Sequence, residues 1–394
     1  MKTGKRNRIW YNDKKTMTDI FISADNIFSP IGLHTAENFS QLKKNVSGIT
    51  IHADKMMSEQ SFQAALFDDE KFLNNTDSLN RYTKFEKLLI ASITDALANS
   101  DIKAADKKTV LIISSTKGNI SLLEQETPSE TLYKRISLNS SARLVAAHFK
   151  FCNDPVIISN ACISGLLAIL TGKRLIQTGK YDHAVVVGAD VISKFILSGF
   201  QSFQAISNLP CKPFDVARDG INLGEAAGTV ILTSNKNYSS GIKIAGGSIS
   251  NDANHISGPS RTGEELNLAI SRAINEAGLV AGDIDFISAH GTATVYNDEM
   301  EAKAITLAGL QKTPVNSLKG FYGHTLGAAG LIESIISMQS LKENLIIPTR
   351  GFENMGVSQP INICSTLFTS TIQNCLKTAS GFGGCNAAMI FSKQ

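Results

Sequence analysis

The chain has 394 residues, of which 43% are hydrophobic and 19% charged, a composition that permits a large core and excludes global disorder. Its net charge of +3 is concentrated at the N-terminus, because residues 1–16 alone carry six basic residues and one acidic residue. The remaining chain is therefore slightly acidic, which argues against a nucleic-acid-binding domain. No stretch is apolar over the roughly 18 residues that would predict a transmembrane helix.

The N-terminal segment and the cysteines predict the cellular setting. Residues 1–16 lack the apolar segment of a signal peptide, so we predict a disordered basic leader, with Met17 as an alternative start. The six cysteines show neither CxxC spacing nor zinc-ligand spacing with histidines. We therefore expect free thiols in a reducing compartment, and hence a cytoplasmic protein without a metal site.

The first half of the chain alternates predicted strands with predicted helices. The strands are expected at 19–23, 110–114 and 184–187, and the helices at 36–44 and 81–98. Residues 51–80 show no regular periodicity and are expected to form an irregular surface loop.

Cys162 is the first candidate for chemistry. It lies between an apolar, β-branched stretch and a helical pattern, which together predict a strand, a tight turn and a helix. A thiol in the first turn of a helix would face the positive end of the helix dipole, which favours the thiolate nucleophile. The alternative is a small buried hydrophobic residue, as most free cysteines are.

The second half repeats this organisation. Strands are predicted at 242–248, 284–288, 313–316, 375–378 and 387–391, and helices at 264–277, 299–308 and 328–341. The turns at 160–165 and 323–330 each join a strand to an apolar helix through small residues, which favours an internal duplication. We predict α/β layers in two halves, 17–236 and 237–394, joined through a polar stretch.

Two histidines follow predicted strands of the second half. His290 ends the strand at 284–288, where α/β proteins gather their ligands, and His324 follows Lys319 in a glycine-rich loop. A lone histidine is more often structural, and small residues such as those after His324 can also serve helix packing. The sequence alone leaves both alternatives open.

Two further segments could serve the same site. The turn at 381–384 lacks the GxxxxGK[ST] pattern and the following helix of a phosphate loop, so we expect it to present backbone N–H groups to an oxyanion. The segment 213–228 contains four charged residues, for which a structural ion-pair network is favoured over a metal cluster. These residues are Asp215, Arg218, Asp219 and Glu225.

Together these segments resemble the elongating β-ketoacyl-[acyl-carrier-protein] synthases of the thiolase superfamily, over residues 19–393. The resemblance implies a five-layer αβαβα fold built from two similar halves. It also implies an active site whose catalytic residues are Cys162, His290, His324, Lys319 and Glu333. The expected substrate-binding residues are the gate phenylalanine Phe382 with Gly381, Gly383, Thr292 and Thr294, and Asp298 is expected to give structural support.

The resemblance implies a decarboxylative Claisen condensation without an organic cofactor. Cys162 would carry the acyl group, while His290 and His324 would stabilise the enolate formed from a malonyl thioester. The backbone N–H groups of Cys162 and Phe382 would form the oxyanion hole, and a buried Lys319–Glu333 pair would orient the histidines.

The partners implied by the resemblance are an acyl carrier protein and a second ketosynthase-like subunit. The carrier is acidic, so basic residues near the entrance are candidates for docking it, namely Arg81, Lys84 and Lys212. The dimer could be a homodimer or a heterodimer with a chain-length factor.

Several residues depart from the family pattern. Cys385 replaces a threonine, Leu318 and Ala293 are atypical, and residues 23–26 lack the usual Thr-Gly-x-Gly signature. These differences make a specialised polyene or polyketide-type lipid pathway an alternative to primary fatty-acid synthesis, and we expect Cys385 to serve packing. Two other functions are considered: a non-catalytic chain-length factor, which the intact Cys162 argues against, and a thiolase using coenzyme A, which would need a second catalytic cysteine.

Overall fold

The computed structural model describes residues 18–254 and 256–394, so the predicted leader and Met17 lie outside the described residues. The strands are β1 (Phe21–Phe28), β2 (Thr50–His52), β3 (Phe62–Ala65), β4 (Thr109–Ser114), β5 (Val156–Ile158), β6 (His183–Asp190), β7 (Leu223–Gly224), β8 (Ala226–Thr233), β9 (Ile242–Asn251), β10 (Phe286–Ser288), β11 (Val315–Asn316), β12 (Leu345–Ile346), β13 (Phe368–Thr369), β14 (Asn374–Gly381) and β15 (Cys385–Lys393). The helices are α1 (Thr35–Lys43), α2 (Asp69–Thr76), α3 (Lys84–Ala98), α4 (Leu122–Gln125), α5 (Glu130–Ile136), α6 (Leu138–His148), α7 (Ser164–Gln177), α8 (Lys194–Ser202), α9 (Glu264–Ala277), α10 (Val295–Leu307), α11 (Lys319–Tyr322) and α12 (Ala329–Glu343).

The two halves use the same strand topology. The N-terminal half orders its strands β5-β4-β6-β8-β1, and the C-terminal half orders its strands β11-β10-β14-β15-β9. In each half the first three strands of this order are parallel to one another and the last two pairings are antiparallel. A single β1–β9 pairing joins the halves into one ten-stranded sheet. The repeated order supports the predicted internal duplication.

Successive side chains along each strand point to opposite faces of the sheet, and this alternation produces the layers. On β4, Val110 and Ile112 face a central core shared with α7 and α12, whereas Leu111 and Ile113 face an outer core shared with α3. A third core lies between the C-terminal strands and helices α9 and α10. The resulting αβαβα arrangement confirms the predicted fold class.

Most long elements lie where the sequence predicts them, although the start of α3 and the segment 51–80 differ from the prediction. Helix α3 begins at Lys84 because Thr83 and Glu86 form a reciprocal capping box at its start. The irregular loop predicted for 51–80 is wrong, since β2, β3 and α2 lie there. β3 is stabilised by parallel pairing with the distant β7, a contact that local periodicity does not reveal.

The expectations about membrane-spanning helices and free cysteines concern the whole described chain. In residues 18–254 and 256–394, every helix is too short or too polar to span a bilayer. All six cysteines are unpaired, as predicted from their spacing.

The N-termini of α7 and α12 meet through two glycines. A β-carbon placed on Gly165 would lie 2.7 Å from the backbone nitrogen of Leu331, and one placed on Gly330 would lie 3.0 Å from that of Leu166. The two helices therefore touch backbone to backbone at the ends that carry the cysteine turn and the second histidine turn.

We predict that Gly165→Ala destabilises the protein by about 1–3 kcal/mol, because the backbone atoms it would meet cannot move aside as a flexible side chain can. The control is Gly199→Ala in α8, where an added β-carbon meets no atom within 4 Å. This control should leave stability unchanged or raise it by up to about 1 kcal/mol through helix propensity. Thermal unfolding midpoints of both variants test the contact, and equal midpoints would refute it.

Candidate active site

Cys162 lies in the tight turn that precedes α7. Ala161 adopts a left-handed backbone conformation (φ 44°), and the Ser164 hydroxyl accepts from the backbone N–H of Asn160 while donating to the Ala161 carbonyl. Because α7 begins at Ser164, the thiol precedes the helix and does not lie in its first turn as expected. The side chain is buried, with 8% exposure.

The thiol and both candidate histidines converge. His324 Nε2 lies 3.0 Å from Cys162 Sγ, and the rings of His290 and His324 meet edge to face with centroids 5.2 Å apart. The sulfur and one nitrogen of each ring lie within 4.8 Å of one another. All three residues line a cavity of about 410 Å³. A soft metal ion could also bind three such groups, so a chelator belongs in any assay of this thiol.

Burial keeps all three groups neutral. It raises the pKa of Cys162 to about 12, an effect that Cys385 strengthens and Lys319 opposes. Burial also lowers the pKa of His290 and of His324 well below the usual value, and the positive charge of Lys319 lowers both further. Burial therefore opposes the thiolate that the helix dipole was expected to favour.

The backbone of His324 is pinned by a short segment of the first half. Its N–H donates to the carbonyl of Asn222 (2.7 Å), and its carbonyl accepts from the N–H of Gly224 (3.1 Å). The buried Asn222 side chain in turn donates to the carbonyls of Ser207 and Leu209. This segment thus fixes the histidine that contacts the cysteine.

The backbone of His290 is held by charged side chains. Its N–H donates to Glu301 Oε1 (2.7 Å), and its carbonyl accepts from Lys319 Nζ (3.0 Å). Lys319 also forms a short ion pair with Glu333, and Lys377 forms a second ion pair with the same carboxylate (2.8 Å). Burial lowers the pKa of Lys377, and Glu333 opposes that shift. The predicted Lys319–Glu333 pair is therefore part of a larger buried cluster.

Phe382 lies at the cavity beside two other phenylalanines. Its ring is 5.8 Å from that of Phe200 and 5.4 Å from that of Phe203, and its backbone N–H faces the Cys162 thiol. Gly381 packs against the cysteine turn so closely that a β-carbon would lie 2.9 Å from Cys162 N, and Gly383 requires a left-handed conformation (φ 84°). The glycine-rich turn therefore brings the Phe382 ring to the cavity and its backbone N–H to the thiol.

The hydroxyl groups of Thr292 and Thr294 lie 2.8 Å apart and both residues line the cavity. Asp298 is completely buried, where it accepts from the N–H of Phe214 (2.7 Å). Burial raises the pKa of Asp298 to about 7. Its backbone N–H donates to the carbonyl of Thr294 (3.2 Å), so the expected supporting role of Asp298 stays a prediction.

The four charged residues of segment 213–228 do not form one network. The Asp215 carboxylate accepts backbone N–H groups, and Arg218 Nε instead lies 3.9 Å from Asp298. Asp219 lines the cavity, where it accepts from a serine hydroxyl. Glu225 forms a separate ion pair with Lys84 (2.8 Å). The predicted network is therefore divided among three places, since a loop with positive-φ residues turns its charges apart.

The three basic residues suggested for carrier docking do not line the cavity. Lys84 is bound to the buried Glu225, which leaves it poorly placed to bind a partner. Lys212 lies 3.9 Å from Glu353, and Arg81 donates to the hydroxyl of Tyr82. Cys385, for which packing was expected, is buried beside Gly381, and burial raises its pKa to about 11.

Several residues of the site have no role in the sequence prediction. Lys377 could have been noticed as a lysine within an apolar central strand, and Glu301 as an acidic residue one helical turn after Asp298. Phe200 and Phe203 gave no such signal, because they lie on or just after α8, for which no helix was predicted.

With this geometry established, sequence comparison identifies the family. Residues 17–237 match the family model described as "Beta-ketoacyl synthase, N-terminal domain", and residues 242–353 match "Beta-ketoacyl synthase, C-terminal domain". The chain therefore belongs to the β-ketoacyl synthases, which are condensing enzymes of the acyltransferase type.

Individual relatives support this assignment. The 3-oxoacyl-[acyl-carrier-protein] synthase 2 of Vibrio cholerae is 28% identical over 95% of this chain and 99% of its own length. The enzyme of the same name from Rhizobium meliloti is 33% identical over 65% of each chain. A putative mitochondrial 3-oxoacyl-[acyl-carrier-protein] synthase of Schizosaccharomyces pombe is 30% identical over 67% of each.

Solved structures share the fold. The ishigamide ketosynthase/chain length factor is 24% identical and covers 96% of this chain and 100% of its own, with a TM-score of 0.89. The ketosynthase ApeO in complex with its chain length factor ApeC, from Xenorhabdus doucetiae, is 26% identical over 97% of this chain and 100% of its own, with a TM-score of 0.80.

We predict that alkylation of Cys162 by iodoacetamide accelerates about tenfold per pH unit from about pH 7 to pH 9, because a raised pKa keeps the thiolate fraction small throughout this range. Peptide mass analysis measures the rate at this residue, and Cys162→Ala identifies the peptide. A plateau below about pH 8 would contradict the neutral thiol and show a thiolate–imidazolium pair at rest.

Proposed function

We propose that this chain is a 3-oxoacyl-[acyl-carrier-protein] synthase that condenses an acyl group on Cys162 with a malonyl carrier. The observation that carries the proposal is the convergence of one thiol and two neutral imidazoles within 4.8 Å at a buried cavity. The names of the relatives support the same reaction. The roles below follow from the positions of the side chains.

The first half-reaction loads the cysteine. The Cys162 thiol attacks the acyl thioester carbonyl, and its proton passes towards His324 Nε2 at 3.0 Å. The N–H groups of Phe382 and Cys162 stabilise the oxyanion of the tetrahedral intermediate. Collapse breaks the bond to the carrier sulfur, which takes up the proton and leaves as a thiol.

The second half-reaction forms the carbon–carbon bond. The malonyl thioester places its carbonyl oxygen between His290 and His324, whose neutral rings can donate N–H groups to it. The carboxylate leaves as CO₂, its bonding electrons form the enolate, and the carbanion carbon attacks the acyl carbonyl on Cys162. The Cys162 sulfur leaves as a thiolate and takes up a proton from solvent, which restores the thiol, and the product is longer by two carbons.

The proposal also includes an acyl carrier as the substrate carrier and a second subunit. Relatives are named for the acyl carrier protein, and two structural neighbours are ketosynthases with a chain length factor. We infer a carrier-bound substrate, either a homodimer or a heterodimer, and elongation in a fatty-acid or polyketide/polyene-type pathway. The non-catalytic and thiolase alternatives have less support, because the thiol and both imidazoles are in contact and Cys385 lies outside the cavity-lining residues.

We predict that purified protein gains the mass of one acyl group on incubation with hexanoyl carrier, and that Cys162→Ala gains none, because the thiol is the acceptor. Addition of malonyl carrier should then yield a 3-oxo product two carbons longer. Intact-mass analysis of protein and carrier follows both steps. Acylation of the Cys162→Ala protein would place the nucleophile elsewhere, and wild type without acylation would favour the non-catalytic alternative.

We predict that Phe382→Ala shortens the lifetime of the acyl-enzyme several-fold, because the ring lines the same cavity as the thiol and its removal would admit water. The matched control is Phe195→Ala, an exposed phenylalanine on α8 outside the cavity. Loss of the acyl mass with time measures hydrolysis. Equal lifetimes for the two variants would show that the ring does not protect the thioester.

A further inference from the structure

Two buried lysines hold the chain segment that delivers His290. Lys377 Nζ donates to the carbonyls of Ser288 (3.1 Å) and Ala289 (3.1 Å), and Lys319 Nζ donates to the carbonyl of His290 (3.0 Å). Three successive carbonyl groups therefore accept from two ammonium groups. These hydrogen bonds hold the backbone from Ser288 to His290 in place, and with it the imidazole of His290.

The other side of this segment is held by a carboxylate. Glu301 accepts from the N–H groups of His290 (2.7 Å) and Gly291 (2.8 Å), and from the Thr378 hydroxyl (2.6 Å). All three of these donors are neutral. The negative charge of Glu301 must therefore be balanced by a cation that does not bind it directly.

The charges of this cluster balance only when Lys377 is included. Lys319 and Lys377 supply two positive charges, Glu301 and Glu333 supply two negative charges, and each side chain is at least 95% buried. Without Lys377, two carboxylates would face a single ammonium group beneath His290. An uncompensated negative charge there would disfavour a second negative charge on the enolate.

The ammonium group of Lys377 contacts both the chain segment that delivers His290 and the carboxylate of Glu333. Its third partner, besides the two carbonyls, is Glu333 Oε2 at 2.8 Å. The two carbonyls therefore accept hydrogen bonds from the ammonium group, and its positive charge also faces the carboxylate. A neutral side chain of the same length could satisfy neither the carboxylate nor both carbonyls.

We propose that Lys377 is a positioning residue for the decarboxylation step, acting through His290 by fixing its strand and by balancing the buried carboxylates behind it. This inference rests on the proposed condensing function. It assigns to Lys377 a role in one half-reaction, because the lysine backs His290, whereas the loading step uses His324, whose backbone is held by Asn222 and Gly224.

The chain offers a matched control for the loss of a buried lysine. Lys173 in α7 is 2% exposed, and it pairs with Glu276 (2.8 Å), which Arg174 also binds. Lys173→Met therefore removes an ion pair of the same kind, in which one carboxylate is shared by two cations. Glu276 lies on α9 and does not line the cavity, so this variant reports only the structural consequence.

The experiment compares Lys377→Met with Lys173→Met. Radiolabelled CO₂ release from malonyl-pantetheine by the hexanoylated enzyme measures decarboxylation, and intact mass measures Cys162 loading by hexanoyl-pantetheine. We expect Lys377→Met to lower kcat for CO₂ release about 10- to 100-fold with little change in KM, to lower the loading rate far less, and Lys173→Met to stay within about threefold in both. In a His290→Ala background, Lys377→Met should cause no further loss.

Three results would overturn the inference: equal losses in both steps, an equal loss in Lys173→Met, or an undiminished loss in the His290→Ala background. If circular dichroism shows that Lys377→Met does not fold, Lys377→Gln, which keeps an N–H donor without the charge, takes its place under the same criteria. Wild type that releases no CO₂ would refute the proposed function itself. Wild type and Lys377→Met releasing CO₂ at equal rates would refute only the role of Lys377.

Discussion

The backbone contact between α7 and α12 is the constraint on which the site depends. Gly165 and Gly330 let the first turns of these helices approach until their backbones touch, in the central core between the two halves of the sheet. The turn before α7 carries Cys162, and the loop before α12 carries His324. A side chain of any size at either glycine would separate the sulfur from the imidazole, which are now 3.0 Å apart. Reactivity is therefore a consequence of how two apolar helices pack.

The same packing determines the charge state of the site. Helices and sheets on every side exclude water, which raises the pKa of the thiol and lowers the pKa of both histidines. A neutral thiol beside a neutral imidazole can pass its proton to an attacked thioester without first creating a solvated ion pair. Neutral imidazoles can also donate hydrogen bonds to an enolate, because their N–H groups are far weaker acids than those of an imidazolium and do not quench the carbanion. One physical cause, burial, thus suits both half-reactions.

The sequence predicted those parts of the fold and of the candidate site whose pattern lies within a few neighbouring residues. The turn at Cys162, the strand before His290 and the glycine-rich loop before His324 are patterns over a few residues, and their elements were predicted. Lys377 and Asn222 act across long sequence separations, because each binds backbone groups that only the fold brings near. The sequence did not predict β3 for the same reason, since its partner β7 lies far along the chain. The charged segment 213–228 was misjudged because its residue types were recognised but their directions were not.

The duplication explains why one half carries the nucleophile and the other the imidazoles. Strands β6 and β14 occupy equivalent positions in the two halves, yet β14 ends at Gly381, against the cysteine turn, and β6 ends at Asp190. The buried Asp190 carboxylate accepts from Ser115, from the N–H of Thr116 and from the N–H of Gly327 (2.7 Å). It therefore ties the strand ends of the first half to the loop after His324. The N-terminal half supplies Cys162 after β5 and braces the loop after His324 through Asp190, and the C-terminal half supplies both histidines, so neither half could form the site without the other.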